Sequence, residues 1–159
     1  MIPSVLFVSL LAIHTNLHAT EMTEASLKRA PSTHKIEWKH ALGPALEIAE
    51  VNNRPIVVFF TASWCGPCQS VKRTTMQNPS VIQKVGANFV PVMLDFDQNR
   101  QLASQLNVNV VPTILVLNPS ADSLLYKVTN TSAGMFVREL ESAKQQQDEG
   151  CIKPVSLNQ

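Results

Sequence analysis

Two cysteines separated by two residues, Cys65 and Cys68, are the side chains of this sequence best suited to chemistry. At this spacing the two sulfurs can close a disulfide with each other, so the pair is a candidate redox switch. The spacing alone does not decide the function, because a Cys-x-x-Cys pair can equally be half of a zinc site or a structural disulfide. The elements that hold the pair must decide between these interpretations.

The pair lies between a predicted strand and a predicted helix. The run 55–60 is apolar and rich in β-branched and aromatic residues, which indicates a strand buried on both faces. This strand delivers Cys65 to a helix N-terminus, where the helix dipole and unpaired N–H groups stabilise a thiolate. Gly66 permits the tight approach, and Pro67 suits the first turn because its missing N–H would be unpaired there. Cys68 follows one turn inside, so we expect one attackable and one sheltered thiol.

Strands and helices alternate along the rest of the chain. The order is helix, strand, helix, helix, strand, helix, strand, strand, helix. The predicted ranges of the first eight elements are 44–51, 56–60, 69–77, 80–85, 88–96, 98–106, 110–117 and 123–128. Thr131 or Ser132 is predicted to cap the last helix. Ser80 and Asp97 are assigned as helix caps, and Asn107 as a left-handed helix end. The order predicts an α/β fold, a mixed sheet with helices on both faces.

Two motifs in this frame resemble those of the thioredoxin superfamily, namely Trp64-Cys65-Gly66-Pro67-Cys68 after a buried strand and Val111-Pro112-Thr113 at the start of a later one. The resemblance covers residues 36–143 and implies the thioredoxin fold, a central mixed β-sheet flanked by helices, with a cis-proline loop beside the Cys-x-x-Cys motif. It implies that Pro112 is cis and that the backbone of Val111 binds an extended substrate peptide. It further implies that Trp64 shields the cysteines and contacts the substrate.

The branch of the superfamily is indicated by three further segments. Residues 36–38, 54–55 and 76–81 resemble those of exported thioredoxin-like proteins and of the C-terminal thioredoxin-like domain of transmembrane disulfide reductases. The Gly-Pro dipeptide between the cysteines resembles the reducing members of the superfamily rather than the strongly oxidising ones. The resemblance therefore favours a reductase over an oxidase.

The sequence departs from the family behind the cysteines. Thioredoxins carry a buried Asp six residues before the first cysteine and a Lys on the adjacent strand, which help to move the proton of the buried thiol. Phe59 and Met93 stand at those positions. Because apolar neighbours disfavour a thiolate and supply no base, we expect Cys68 to react slowly. Thr129 replaces a glycine near the substrate groove, which predicts a narrower docking surface.

The activity that the resemblance implies is thiol–disulfide exchange with protein or peptide disulfides, without a cofactor. Cys65 attacks the substrate disulfide, and Cys68 then attacks Cys65 and releases the reduced substrate. Such a reductase needs a thiol electron donor, for which a membrane disulfide reductase is a candidate. The alternative is a non-catalytic thioredoxin-fold module that binds extended peptides or proteins, with the cysteines as a static disulfide.

Other classes of function find less support in the sequence. A metal site would need further Cys or His ligands, and the histidines lie away from the strands that approach the motif, at His14, His18, His34 and His40. A peroxidase of similar fold would carry a Thr-x-x-Cys motif, which is absent. A net charge of +1, with no basic run, argues against nucleic acid as a partner.

The N-terminus predicts export. An apolar run at 5–13 precedes the first charged residue, Glu21, and is too short to span a bilayer, so residues 1–19 are predicted to be a signal peptide cleaved after Ala19. We therefore expect a periplasmic or secreted monomer. The predicted organisation continues with a flexible linker at 20–35, the thioredoxin-like domain at 36–143 and a flexible tail at 144–159. Cys151 in that tail is either an incidental free thiol or pairs between chains.

Overall fold

The computed structural model describes residues 35–150 and 153–154. The predicted signal peptide, the predicted linker as far as residue 34, and Cys151 lie outside these ranges. Within the described ranges, no helix has the length and apolar character needed to cross a membrane.

A mixed sheet forms the centre of the described chain. Its five strands lie in the order β2-β1-β3-β4-β5. They are β1 (Ile56–Thr61), β2 (Val90–Asp95), β3 (Thr113–Leu117), β4 (Ser123–Val128) and β5 (Lys153–Pro154). β1 is parallel to β2 and antiparallel to β3, and the pairs β3–β4 and β4–β5 are antiparallel. The predicted mixed sheet is confirmed, with the short β5 as an addition.

Helices cover both faces of the sheet. They are α1 (Leu42–Asn52), α2 (Gly66–Arg73), α3 (Pro79–Asn88), α4 (Arg100–Gln105) and α5 (Ala133–Asp148), with a 3₁₀ turn (Thr75–Gln77) between α2 and α3. Val57 and Phe59 of β1 pack into one core with residues of α2, α3 and α5. Val58 and Phe60 pack into the other with residues of α1 and α4. β1 is apolar along its whole length because each of its faces belongs to a core.

The two helices after the cysteines differ from the prediction. The helix expected at 69–77 begins earlier, at Gly66, and gives way to the 3₁₀ turn after Arg73. α3 runs beyond the predicted 80–85 and contains Gly86 rather than ending there. Its N-cap is Asn78, whose side chain accepts a hydrogen bond from the N–H of Ser80 at 3.0 Å, so the assignment of Ser80 as the cap was wrong. Asparagine before a proline suits this position, since proline is favoured in the first turn.

The assignment of Asp97 as the cap of the next helix was also wrong. Asp95, at the end of β2, accepts hydrogen bonds from the N–H groups of Asp97 and Gln98 at 2.9 and 3.1 Å, and α4 begins only at Arg100. The end of α4 is as predicted, because Asn107 has a φ of 53°. The bonds Val108 N to Ala103 O and Asn107 N to Ser104 O complete a Schellman motif there.

The last helix continues past the predicted domain boundary at 143. α5 extends to Asp148, although residues 144–159 were expected to form a flexible tail. Lys144 pairs with Asp148, and Gln145 donates to Glu149 at 2.7 Å. Such pairs one helical turn apart stabilise a helix by about 0.2–0.5 kcal/mol each, and Lys and Gln are good helix formers. The polar composition that suggested a tail therefore belongs to the exposed side of a helix.

The candidate redox site

Cys65 and Cys68 form a disulfide, with their Cα atoms 5.3 Å apart. A short turn after β1 leads to Cys65, which is the N-cap residue of α2. The Cys65 sulfur accepts a hydrogen bond from the N–H of Cys68 at 3.2 Å. This sulfur lies at the positive end of the helix dipole, where a thiolate is stabilised. Cys68 is fully buried, and Cys65 is 3% exposed.

The two residues between the cysteines occupy the first turn of α2. Pro67 fits there because its missing N–H would have no partner within the helix. Gly66 was expected to permit a tight approach, and the structure corrects this expectation. A Cβ atom built on Gly66 meets nothing within 4 Å. The residue is exposed, and its φ is not positive. No close contact in the described chain therefore requires a glycine at this position.

A loop before β3 packs, through Val111, against the buried cluster that contains Cys65 and Cys68. The peptide bond between Val111 and Pro112 is cis, which is the geometry that the resemblance implied. The Thr113 hydroxyl donates to the Val110 carbonyl at 2.7 Å and closes the loop. β3 thus begins at Thr113 rather than at the predicted Val110, and the three residues before it form the connection.

A groove of about 510 Å³ lies between this loop and α2, the helix that begins after Cys65. Pro112 lines it from one side and Pro67, from between the cysteines, lines it from another. The remaining lining side chains are uncharged and come from α2, the 3₁₀ turn and the start of α5, namely Ser70, Val71, Thr74, Thr75, Thr131, Ser132 and Ala133. The structure therefore brings the two predicted motifs together at one surface beside the disulfide.

Trp64 lies next to the disulfide and is 66% exposed. Its indole N–H donates a hydrogen bond to the Asp97 carboxylate at 2.6 Å. Asp97 also pairs with Arg100, whose guanidinium carbon lies 5.3 Å from the centre of the Phe96 ring. The loop between β2 and α4 therefore holds the tryptophan. Sequence reasoning missed this role, because it treated Asp97 only as a local helix cap.

The core behind the cysteines is apolar. Phe59 on β1 is fully buried and lies opposite Met93 on β2. Its ring centre lies 6.2 Å from that of Trp38. Phe59, Cys65 and Cys68 belong to the same buried cluster, against which Trp38 and Met93 pack. The two positions that the sequence singled out are thus neighbours in the sheet, and neither supplies an ionisable group.

Thr129 does not narrow the groove, contrary to the expectation from the sequence. Its main-chain N–H and its hydroxyl donate to the carboxylate of Glu139 on α5, at 2.8 and 2.6 Å. The side chain is thus directed toward α5, and the wall of the groove is formed by residues 131–133. Glu139 was not singled out in the sequence, where it is one charged residue among several on an amphipathic helix.

Among residues 35–150 and 153–154, no group of three or more His, Cys, Asp or Glu side chains is arranged to hold a metal ion. The groups described at this site are the two sulfurs, the N-terminus of α2 and the side chains that line the groove.

A family model described as thioredoxin-like matches residues 37–119, which is more than half of the chain. The chain belongs to the thioredoxin-like family. The matched segment begins before α1 and ends after β3, so it includes both cysteines and the loop with Pro112. The fold described above is accordingly the thioredoxin fold, and the chain carries the Cys-x-x-Cys pair of this oxidoreductase family.

Curated relatives include thioredoxins from distant organisms. The thioredoxin of Bacillus subtilis is 30% identical over 91 residues, which cover 57% of this chain and 79% of the relative. The chloroplastic thioredoxin Y of Oryza sativa is 25% identical over 97 residues, 61% of this chain and 55% of the relative. The thioredoxin-related protein DsbJ of Chlamydia pneumoniae is 26% identical over 95 residues, 52% of this chain and 27% of the relative. The chain thus spans about half of thioredoxin Y and about a quarter of DsbJ.

Solved structures show the same fold. A thioredoxin from Thermus thermophilus has a TM-score of 0.66 at 22% identity, covering 74% of this chain and 93% of the other. The DsbH oxidoreductase has a TM-score of 0.64 at 21% identity, covering 72% of this chain and 88% of the other. At these identities the likenesses show the thioredoxin fold alone.

Proposed function

We propose that this protein is a thiol–disulfide oxidoreductase that reduces disulfides of proteins or peptides. The observation that carries the proposal is the position of the Cys65 sulfur. It caps α2, accepts the N–H of Cys68 at 3.2 Å and belongs to the motif whose Pro67 lines a groove together with Pro112. A thiolate formed at this sulfur keeps the N–H as a hydrogen-bond donor and keeps the favourable end of the helix dipole.

The reaction begins with the dithiol form. The Cys65 thiolate attacks one sulfur of the substrate disulfide, a bond forms between these two sulfurs, and the other substrate sulfur leaves as a thiolate that takes a proton from water. The Cys68 thiol then loses its proton and attacks the Cys65 sulfur. The disulfide between Cys65 and Cys68 forms, and the second substrate sulfur leaves. Two electrons have passed from the cysteine pair to the substrate.

The residues around the pair contribute to binding rather than to electron transfer. Trp64, held by Asp97, offers an exposed apolar ring beside the disulfide. The backbone of Val111 would pair with an extended segment of the substrate, and Pro112 would contact that segment in the groove. Gly66 adds no side chain to the exposed start of α2, and Pro67 keeps the first turn of α2 in place.

Release of the product is the slower half of this mechanism. Cys68 is buried in the apolar cluster that contains Phe59, with Met93 packed against it. An apolar environment favours the neutral thiol, and neither of those two residues can take its proton. Water or a group on the substrate must therefore accept the proton before Cys68 can attack.

The reducing direction is supported by the Gly-Pro dipeptide between the cysteines. We propose that the protein works outside the cytoplasm after loss of residues 1–19, in the periplasm or as a secreted protein. A reductase in such a compartment must be returned to its dithiol form, so we include a thiol electron donor, with a membrane disulfide reductase as a candidate.

A non-catalytic module remains the second candidate function. The apolar residues Phe59 and Met93 behind the cysteines favour it, because a static disulfide needs no proton transfer. In this case the groove would bind extended peptides, and the disulfide would serve only to hold the start of α2.

Reduction of insulin in the presence of dithiothreitol separates the two candidates. The oxidoreductase should accelerate precipitation of the insulin B chain, and Cys65→Ser should abolish the acceleration. Cys151→Ser is the matched control and should leave the rate unchanged, because that cysteine is outside the proposed mechanism. Acceleration that survives Cys65→Ser would rule out the proposed mechanism, and no acceleration by the wild type would favour the module.

A further inference from the structure

Glu139 is a buried acidic residue that pairs with no cation of residues 35–150. It lies on α5, the helix that follows the wall of the groove, and is 7% exposed. No ion pair in the described part of the chain includes it. Since burying a carboxylate is unfavourable unless its oxygens are hydrogen-bonded, its partners must compensate for the loss of water.

Those partners all belong to the segment that precedes α5. Glu139 Oε1 accepts from the hydroxyl of Thr129 at 2.6 Å. Oε2 accepts from the main-chain N–H groups of Thr129 and Asn130, at 2.8 and 3.3 Å. Bonds to an ionised acceptor are stronger than those between neutral groups, so the carboxylate fixes these two residues to α5.

The fixed residues continue directly into the wall of the groove. Asn130 accepts from the N–H and the hydroxyl of Ser132, at 2.9 and 2.8 Å. The carbonyl of Thr131 accepts a hydrogen bond from the hydroxyl of Thr75, which is buried in the 3₁₀ turn after α2. The segment 129–132 is therefore held by two elements. Glu139 of α5 binds one end, and Thr75 of the 3₁₀ turn after α2 binds Thr131.

We propose that Glu139 is a positioning residue for substrate binding, acting through the segment 129–132. The inference rests on the proposed function, because it concerns how a protein disulfide docks in the groove beside Cys65. When the wall is ordered before the substrate binds, the entropic cost of ordering it is not added to the free energy of binding. Glu139 touches neither sulfur, so its removal should weaken docking of a peptide segment more than it slows the exchange chemistry.

Four variants test this role in the full-length protein. Glu139→Gln keeps the shape of the side chain but removes one acceptor oxygen and the charge, and Thr129→Val removes the hydroxyl. Thr129→Ser retains that hydroxyl and should rescue the function. Glu141→Gln makes the same change at an exposed position of α5, where the carboxylate pairs with Lys84 at 2.7 Å, and is the matched control.

Steady-state kinetics with insulin and with a small aromatic disulfide give the decisive comparison. We expect Glu139→Gln and Thr129→Val to raise KM for insulin about tenfold, with kcat changed less than about twofold, because charge-assisted hydrogen bonds hold the wall. The rate with the small disulfide, which does not extend along the groove, should change less than about twofold. Hydrogen exchange of the Thr129 and Asn130 amides should accelerate in Glu139→Gln, with amides in the middle of α5 unaffected.

The outcomes distinguish this inference from the function on which it rests. An active wild type with unchanged KM for insulin in both Glu139→Gln and Thr129→Val would overturn the role of Glu139 alone. An equal fall in activity with insulin and with the small disulfide would also overturn it, since it would indicate that Glu139 supports the structure as a whole. If Glu139→Gln does not fold, the comparison of Thr129→Val with Thr129→Ser decides. An inactive wild type would overturn both proposals.

Discussion

The indole N–H of Trp64 donates a hydrogen bond to the carboxylate of Asp97 at 2.6 Å. This bond connects the turn that carries Cys65 with the loop between β2 and α4, which is distant in sequence. Asp97 is in turn paired with Arg100. The orientation of Trp64, which we propose as a substrate contact, thus depends on a second loop.

Removal of this bond should affect substrate binding more than stability. Asp97→Ala leaves the exposed indole without its acceptor, so we expect kcat/KM for insulin to fall about three- to tenfold. Because the groups are exposed, we expect the free energy of unfolding to change by less than about 1 kcal/mol. Insulin kinetics and urea unfolding measure the two effects. Asp97→Asn keeps an acceptor oxygen and should retain most of the activity. An equal fall in kcat/KM for insulin in Asp97→Ala and Asp97→Asn would argue against a role for the hydrogen bond.

The environment of Cys68 predicts a pH-dependent release step. The step requires the thiolate of Cys68, and Phe59 and Met93 offer no base. Well below the pKa of a thiol the thiolate fraction rises about tenfold per pH unit, so decay of the mixed disulfide should accelerate steadily from pH 6 to pH 8. Acid-quenched single turnovers, followed by mass spectrometry, give the rate. A rate independent of pH across this range would indicate that another group takes the proton.

Two glycines should respond to alanine in opposite ways. A Cβ at Gly66 meets nothing within 4 Å and φ is not positive there, so Gly66→Ala should be neutral or stabilise the protein by up to about 1 kcal/mol through the unfolded state. Gly150 has a φ of 67° just after α5, where alanine is strained, so Gly150→Ala should cost about 1 kcal/mol. Urea unfolding of both variants checks the contrast. A large loss of stability in Gly66→Ala would mean that another group packs closely against Gly66, contrary to the structure.

The turn between β3 and β4 predicts a small acid sensitivity. Hydrogen bonds from Ser123, and then from Asn118 and Ser120, hold the pKa of the Asp122 carboxyl below its ordinary value, against a weak opposing effect of burial. Because the folded pKa is the lower one, the ionised carboxylate stabilises the fold above the unfolded pKa of about 3.9, and this contribution is lost as the pH falls through the folded pKa.

Asp122→Asn is the test of this contribution. It should lower the free energy of unfolding at pH 7 by less than about 1 kcal/mol, since the group is largely exposed, and the difference from the wild type should shrink as the pH approaches 3. Unfolding by urea at pH 7 and at pH 3.5 provides the comparison. A difference that grows at acid pH would reverse the sign of the assigned shift.

Much of the fold was predictable because local pattern and tertiary environment agree. The unbroken apolar run at 56–60 indicates a strand covered on both faces, and each face of β1 does belong to a core. Phe59 and Met93 were identified through the resemblance to thioredoxins, and the structure places them opposite each other in the parallel pairing of β1 and β2. The arrangement of Cys65 and Pro67 followed from helix chemistry alone.

The residues that were missed owe their roles to distant partners. Asp95 and Asp97 are equally good caps by sequence, and only the position of Trp64 shows why Asp97 is directed elsewhere. Glu139 looks like a solvated helix residue, because its partners, two main-chain N–H groups and the Thr129 hydroxyl, lie about ten residues earlier in a loop. The extension of α5 to Asp148 was missed because its apolar content declines while its helical propensity does not.

The central claim is that Cys65 is the sulfur that attacks the substrate, and trapping the intermediate tests it most directly. In Cys68→Ser the second step is blocked, so incubation of the reduced variant with an oxidised protein substrate should accumulate a mixed disulfide. Peptide mapping by mass spectrometry under non-reducing conditions should locate the adduct at Cys65. In the converse variant, Cys65→Ser, no adduct should accumulate at Cys68. An adduct at Cys68 in that variant, or none at Cys65 in Cys68→Ser, would contradict the mechanism.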